Sequence, residues 1–172
     1  MNVSEAIRSK RAVRAFRDEP LSEAEVSAIL DAGRRSQSSK NSQPWHFIAV
    51  QQRERLQAIA ALGDNIGHAG GSALCVVIVV PQDNERTLWH FFDTGQAAAY
   101  MQLAGQELGI GSCLGTVYDP DGLRDLLGFP ADYQARLLIS FGYPAAQQPR
   151  RGLGAAGRRP YAEVVHRETW GG

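Results

Sequence analysis

The residues best suited to chemistry in this chain are three cations near its start. Lys10, Arg11 and Arg14 are spaced so that, in an extended conformation, all three can reach a common anion. Val13 and Phe16, the apolar residues among and after them, are expected to anchor the segment. Because a guanidinium group presents a rigid fork of donors that matches phosphate oxygens, the segment is a candidate anion site. A solvated basic face is the alternative interpretation.

Two further segments could contact a planar, polar ligand. Residues 38–45 form a loop of short hydrogen-bonding side chains that ends in a Pro-Trp pair. An ordinary turn rich in Ser and Asn is its alternative interpretation. Residues 108–116 are dense in glycine where a predicted helix meets a predicted strand, and glycine allows a backbone to approach a ligand closely. A simple helix stop followed by a turn explains this pattern equally well.

The two ends of the chain are basic and the middle is acidic. Residues 1–17 hold five basic side chains against one acidic, and residues 150–172 hold five against two. The residues between them hold eight basic side chains against 15 acidic ones, so the formal net charge is zero. The pattern indicates either two solvated tails, tails that dock on an acidic body, or two ends that meet around one anion.

No side chain stands out as an acid, a base or a nucleophile. The four histidines are scattered singly; His90 and Asp93 could share a helix face, but a third metal ligand is missing from the pattern. The sequence contains no Walker motif, no G-x-S-x-G motif and no G-x-G-x-x-G motif between a strand and a helix. If the protein is an enzyme, a bound cofactor is therefore expected to carry the reaction.

Length and composition favour one cytoplasmic domain. The 172 residues, 44% of them hydrophobic, suit a single domain with a sizeable core. Two cysteines are too few for a disulfide framework, which favours a reducing, intracellular setting. The N-terminus does not read as a signal peptide, and the longest apolar run, residues 73–81, is about half a membrane span. Zero net charge argues against a general nucleic-acid or membrane-surface binder.

Alternating helices and strands must position the three segments. Helices are predicted at residues 3–10, 21–33, 53–62, 85–108 and 121–127, with one helical turn at 161–165. Strands are predicted at residues 45–50, 73–80, 112–117 and 136–141, with a glycine-rich loop at 63–71. The order predicts an α/β (α+β) protein with a central sheet flanked by helices.

Three of these elements carry specific expectations. Ser22 and Glu25 predict a capping box at the start of the second helix, and Gly33 is expected to stop that helix. Residues 73–80 are continuously apolar, as in a strand that is buried on both faces. Residues 85–108 are apolar nearly all round, which predicts a helix inside the structure or between subunits.

Five motifs, taken in order, resemble the FMN-dependent nitroreductase family over nearly the whole chain. They are K-R-A-V-R-A-F at residues 10–16, Q-S-S-K-N-S-Q-P-W-H-F at 37–47, D-T-G at 93–95 leading into L-G-I-G-S-C at 108–113, G-Y-P at 142–144, and R-R-P-Y-A-E-V-V-H at 158–166. One such motif alone would be weak, whereas five in order are specific. The resemblance implies a nitroreductase-like fold with a central mixed sheet, and a homodimer that exchanges C-terminal arms and holds FMN at the interface.

The resemblance also implies residue roles and a reaction. NAD(P)H would be the electron donor, flavin N5 would carry the hydride, and nitroaromatic, quinone or similar small molecules would accept it. The implied FMN-binding residues are Lys10, Arg11, Ala12 and Arg14 at the phosphate or the polar ring edge, Ser38, Ser39 and Asn41 from the other subunit's loop, Asn65 at the pyrimidine edge, Leu114, Gly115 and Thr116 against the ring, and Arg158 and Arg159 returning to the phosphate.

The sequence departs from the family pattern in three places. Ala12 stands where the family has Ser, and Gln37 stands where it has Pro. The connection after Pro81 is only a few residues long, so the pocket is expected to be open and unselective.

Two alternatives remain: another activity of the family (deazaflavin-using, flavin-degrading or dehalogenating), or a flavin- or nucleotide-binding module without turnover. A DNA-binding interpretation of the N-terminal cations is weaker, since the acidic middle would repel a duplex.

Overall fold

A four-stranded antiparallel sheet forms the centre of the computed structural model, which describes residues 1–83, 85–147 and 158–171. The strands are β1 (His46–Val50), β2 (Leu74–Pro81), β3 (Gly111–Thr116) and β4 (Tyr133–Gly142), and they lie in the order β1-β2-β4-β3. The helices are α1 (Val3–Ser9), α2 (Glu23–Arg34), α3 (Arg53–Ala61), α4 (Thr87–Glu107), α5 (Pro120–Leu127) and α6 (Tyr161–Val164), with 3-10 turns at Ser39–Asn41 and Asp64–Gly71.

Strand β2 is buried on both faces, as its continuous apolar run predicts. Leu74, Val76 and Ile78 pack into a core with α2 and α4, while Val77 and Val79 pack into a second core with α3 and α5. The α/β fold class is thus confirmed. In the described residues all four strands of the sheet pair antiparallel, and an isolated parallel bridge joins residues 12 and 112 outside the named strands. A central strand is apolar in either orientation, so its sequence does not reveal the direction of its neighbours.

Helix α2 begins as predicted but ends differently. The Ser22 hydroxyl accepts the Glu25 N–H, and the Glu25 side chain accepts the Ser22 N–H, which confirms the capping box. Gly33 does not stop the helix, because it lies one residue inside its end. A Cβ at Gly33 would lie 2.8 Å from Cγ of Met101, so this glycine instead allows α4 to pack closely against α2.

Residues 63–71, predicted as a glycine-rich loop, contain a 3-10 segment, Asp64–Gly71. Its Ile66 and Ala69 are buried in the second core, which explains why the segment is ordered despite its glycines. No helix in the described part of the chain is long and apolar enough to cross a membrane.

The N-terminal cationic segment runs along the sheet edge. Val13 N–H donates to the Ser112 carbonyl at 2.9 Å, and Arg17 N–H donates to the Tyr143 carbonyl at 2.8 Å. A Cβ at Gly111 would lie 2.7 Å from Val13, and one at Gly142 would lie 2.9 Å from Phe16. The two glycines therefore make room for the two apolar anchors, as the sequence predicts.

Candidate active site

Lys10 and Arg14 bring two positive charges to the start of β3. Lys10 is half-buried, and burial lowers its pKa below the ordinary value; Cys113 opposes this effect and the charge on Arg14 adds to it. A bound anion would relieve both the desolvation of Lys10 and the repulsion between the cations. The structure thus places the two cations close together, and their binding of an anion stays a prediction.

The other two predicted residues of this segment behave differently. The Arg11 side chain turns back and donates to the Arg8 and Lys10 carbonyls at 2.6 and 2.8 Å, where it caps the end of α1. Ala12 is exposed and pairs with Ser112 through its backbone. Arg11 therefore already has hydrogen-bond acceptors, and Ala12 can offer a ligand only its backbone and methyl group.

Strand β3 presents backbone donors along its outer edge. In an antiparallel pair, successive residues direct their N–H and C=O groups alternately toward and away from the neighbouring strand. The Ser112 carbonyl points outward to Val13, and Val117 N–H points inward to the Arg136 carbonyl. The alternation directs the N–H groups of Leu114 and Thr116 outward. In the described structure the cationic segment bridges β3 at Ser112, so these two donors lie on the edge beyond that bridge.

Gly115 lies between these donors and faces the core. A Cβ there would lie 2.8 Å from Ile66 Cγ2 and 3.2 Å from His68 Nε2. The close contact places the 3-10 segment directly under β3, and exposed Asn65 adjoins Ile66 in that segment. The structure therefore brings Asn65 near the strand that carries Leu114, Gly115 and Thr116.

A half-buried hydrogen bond beneath β3 is not predicted by the sequence. His68 Nδ1 lies 2.8 Å from Ser140 Oγ, and Ser140 is the cross-strand partner of Cys113. His68 and Ser140 are 72 residues apart, and no spacing or motif in the sequence links them.

The polar loop is held by helix α4 rather than by the cationic segment. Ser39 N–H donates to both carboxylate oxygens of Asp93, at 3.2 and 3.0 Å. Gln43 N–H donates to Ser38 Oγ at 2.9 Å. Lys40, Asn41 and Gln43 have φ values of 52°, 54° and 47°, in the left-handed region that non-glycine residues rarely adopt. The D-x-G motif marks Asp93 in the sequence, but its role as an anchor for the loop is visible only in the structure.

The two halves of the predicted site contact different parts of α4. The loop contacts the helix at Asp93 and Gln96. Near the other end, Gln102 donates to the Ser112 hydroxyl and Gln106 to the Ser9 hydroxyl, both at 3.2 Å. At about 1.5 Å of rise per residue, Asp93 and Gln102 are about 14 Å apart along the axis. The contacts described within one chain thus leave the loop and the cationic segment apart.

Arg159, near the C-terminus, makes local contacts in the described structure. Arg159 pairs with Glu163 at 3.3 Å and donates to its carbonyl at 3.1 Å. Arg158 is exposed. Residues 148–157, which include Arg150 and Arg151 of the predicted arm, lie outside the described residues. The predicted convergence of both basic ends on one anion therefore stays a prediction.

Comparison with known proteins identifies the family of this chain. The model of the Nitroreductase family matches residues 7–69 and 64–143. An Archaeoglobus fulgidus protein with the provisional name NADH dehydrogenase/NAD(P)H nitroreductase is 32% identical, over 95% of this chain and 96% of its own. The Bacillus subtilis FMN reductase [NAD(P)H] is 23% identical, over 98% of this chain and 74% of its own. An FMN-dependent nitroreductase from Clostridium difficile R20291 has the same fold, with a TM-score of 0.84 at 23% identity, covering 98% of this chain and all of its own. The chain belongs to the nitroreductase family.

Proposed function

We propose that this protein is an FMN-dependent oxidoreductase that takes reducing equivalents from NAD(P)H and delivers them to a small acceptor such as a nitroaromatic compound or a quinone. The observation that carries the proposal is the outer edge of β3, where the N–H groups of Leu114 and Thr116 lie beyond the cationic segment of Lys10 and Arg14. An anion site beside a row of backbone donors suits a phosphorylated ring system. Family membership and the names of the relatives support the same conclusion.

The residues present fit FMN, and each would have a distinct task. Lys10 and Arg14 would bind the phosphate. Arg11 would add its positive charge from its place at the end of α1. Leu114, Gly115 and Thr116 would lie against the ring, and Asn65 would meet its pyrimidine edge. Ala12 would leave one hydrogen bond unmade, worth about 0.5–1.5 kcal/mol. When bound, FMN supplies the redox chemistry by accepting hydride from NAD(P)H and passing it on; the protein orients the ring and excludes water from it.

The proposed active form is a homodimer. Leu88, Trp89 and Phe92 on α4 are between 55% and 73% exposed in the single chain. Large apolar side chains clustered on one helix indicate a protein interface. In the dimer, the loop with Ser38, Ser39 and Asn41 would reach the partner's FMN, which would explain why α4 holds this loop away from the cationic segment of its own chain.

The C-terminal segment would complete the phosphate site. In the proposed dimer, Arg158 and Arg159 would come from an exchanged C-terminal arm. The described part of that arm, residues 158–171, is almost entirely exposed in the single chain. The small number of cysteines favours a cytoplasmic location, where NAD(P)H is available.

A binding module without turnover is the second candidate, because Ala12 lacks the hydroxyl that the family motif provides. Steady-state oxidation of NADH and NADPH by the FMN-loaded protein separates the two. Turnover with menadione or a nitroaromatic acceptor would support the oxidoreductase. Tight binding of FMN with no oxidation of either nucleotide would contradict it and favour the module.

A further inference from the structure

His68 lies under the part of β3 that the proposed function places against the ring. It belongs to the 3-10 segment Asp64–Gly71 and is half-buried. Its Nε2 would lie 3.2 Å from a Cβ on Gly115, while carbons of Ile66 and Leu138 would lie 2.8 and 3.1 Å from the same point. Of the three atoms nearest to that position, two are therefore apolar carbons and the third is a ring nitrogen.

A hydrogen bond fixes the imidazole from its other side. Nδ1 of His68 lies 2.8 Å from the hydroxyl of Ser140, which is completely buried on β4. Ser140 is the cross-strand partner of Cys113, which lies two residues before Gly115 on β3. Because residues two apart on a strand point to the same face of a sheet, one imidazole contacts both strands from beneath.

The position of Gly115 determines where the Thr116 N–H points. A peptide unit is planar, so the N–H of Thr116 turns together with the Cα and carbonyl of Gly115. Glycine has the widest choice of backbone conformations, so the packing around it must hold this unit in place. On the side that faces the 3-10 segment, His68, Ile66 and Leu138 supply that packing. The outward N–H of Thr116 is one of the two donors that the proposed function offers to the ring.

An imidazole does more in this place than fill space. A leucine could fill the same volume, and it would avoid the cost of placing a polar group inside the protein. The bond to Ser140 offsets this cost and also opposes rotation of the ring away from Gly115. His46 provides a comparison, since its ring packs edge-on against Tyr133 on β1 and β4, and β1 is the opposite edge of the sheet from β3.

We propose that His68 is a positioning residue for the flavin ring. Held by Ser140, it supports Gly115 from beneath and so keeps the Thr116 N–H directed at the bound ring. The inference rests on the proposed function, because it concerns the ring site of that function. It assigns a role to two side chains, His68 and Ser140, that lie outside the five sequence motifs.

The test compares FMN with riboflavin, which has the same ring and no phosphate. Fluorescence titration gives the Kd of each flavin. His68→Ala is expected to weaken the binding of both about 3- to 10-fold, as for the loss of one hydrogen bond. Lys10→Met is expected to weaken FMN alone, because it removes a cation from the proposed phosphate site. His46→Ala is the control and leaves both Kd values unchanged, because His46 lies at the far edge of the sheet.

Two further variants separate the support of β3 from folding, and they keep the test open if His68→Ala does not fold. Ser140→Ala removes only the hydroxyl that holds the imidazole, and it is expected to weaken both flavins. His68→Asn offers an amide in place of Nδ1 but no atom in place of Nε2. It is therefore expected to keep its bond to Ser140 and still to weaken both flavins. Unaltered Kd values in His68→Asn would show that the contact with Gly115 has no role, which overturns the proposal.

The absorption bands of the bound flavin give a readout that a merely structural role would not change. At saturating FMN, a misdirected Thr116 N–H is expected to move the bands of His68→Asn toward those of free FMN. His46→Ala is expected to keep the bands of the unaltered protein. Bands that stay unaltered in both His68→Asn and Ser140→Ala would contradict the positioning role.

Flavin binding keeps this inference separate from the proposed function. If the unaltered protein oxidises neither NADH nor NADPH, but the His68 variants weaken both flavins, the proposed function fails and the positioning role stands. If the unaltered protein oxidises a nucleotide and the His68 variants bind both flavins as it does, the function stands and the positioning role fails. A protein that binds neither flavin would overturn both.

Discussion

The Val13 N–H donates to the Ser112 carbonyl at 2.9 Å, and this bond shows which groups of β3 face outward from its pairing with β4. Because Ser112 points away from β4, the alternation of an antiparallel strand directs Leu114 and Thr116 outward as well. The same bond holds the segment with Lys10 and Arg14 beside these donors. One contact between two distant parts of the sequence therefore aligns the segment of Lys10 and Arg14 with a row of N–H groups.

Gly115 is expected to be essential for the position of β3. In Gly115→Ala, the new Cβ would lie 2.8 Å from Ile66 Cγ2 and 3.1 Å from Leu138 Cδ1. Overpacking of this kind destabilises a core by about 1–3 kcal/mol. Urea unfolding measures the change. Gly71→Ala is the control, because nothing lies within 4 Å of a Cβ there and Gly71 lies outside α4. Equal stability of the two variants would contradict the packing described here.

The affinity for FMN is expected to depend on the protonation of Lys10. Burial lowers the pKa of Lys10 from its ordinary value of 10.5. As pH rises, Lys10 therefore loses its proton at a lower pH than an exposed lysine does. A bound phosphate stabilises the charged form, so affinity is high below the lowered pKa and falls as pH rises through it. Titrations between about pH 8 and 10 measure the trend.

Two substitutions at Lys10 test this dependence. Lys10→Met is expected to weaken FMN binding about tenfold at pH 8 and to abolish the loss of affinity at higher pH. Lys10→Arg keeps its charge and is expected to retain affinity at pH 10. A pH profile for Lys10→Met that matches the unaltered protein would show that Lys10 is not the titrating group.

Arg158 is expected to contribute more to the phosphate site than Arg159. Both side chains are exposed, but the Arg159 guanidinium already bonds to the carboxylate and the carbonyl of Glu163, whereas Arg158 has no ion pair with a described residue. Arg158→Met should weaken FMN binding about tenfold, the cost of one charged hydrogen bond, and Arg159→Met should weaken it less. Fluorescence titration with FMN compares them. If both variants bind FMN as tightly as the unaltered protein, the C-terminal arm does not contribute to the phosphate site.

The exposed apolar face of α4 is expected to form the dimer interface. Phe92→Glu places a charge within it and should give a single chain of 18.7 kDa in sedimentation. Tyr118→Glu is the control, because Tyr118 is 72% exposed but lies outside α4. A Phe92→Glu variant that sediments as the unaltered protein would contradict the interface.

Local signals account for the parts of the fold that the sequence predicts. Ser22 and Glu25 form the capping box that their spacing indicates, and Val13 and Phe16 anchor the cationic segment. These features depend on residues close in sequence or on plain hydrophobicity. The five ordered motifs add the family, and with it the fold.

Long-range contacts account for what the sequence does not reveal. Gly33 is read as a helix stop because its packing partner, Met101, is 68 positions away. The anchor of the loop, from Ser39 to Asp93, spans 54 positions, and the left-handed run at Lys40 depends on it. Sheet direction and the pair of His68 and Ser140 likewise depend on distant partners.

The visible absorption spectrum of the purified protein, before and after anaerobic addition of NADH or NADPH, tests the central claim most directly. A yellow protein whose flavin bands bleach on adding a nucleotide is the predicted result, and the nucleotide that works identifies the donor. A colourless protein that also fails to take up added FMN would contradict the account, and the cations of Lys10 and Arg14 would then serve a different anion.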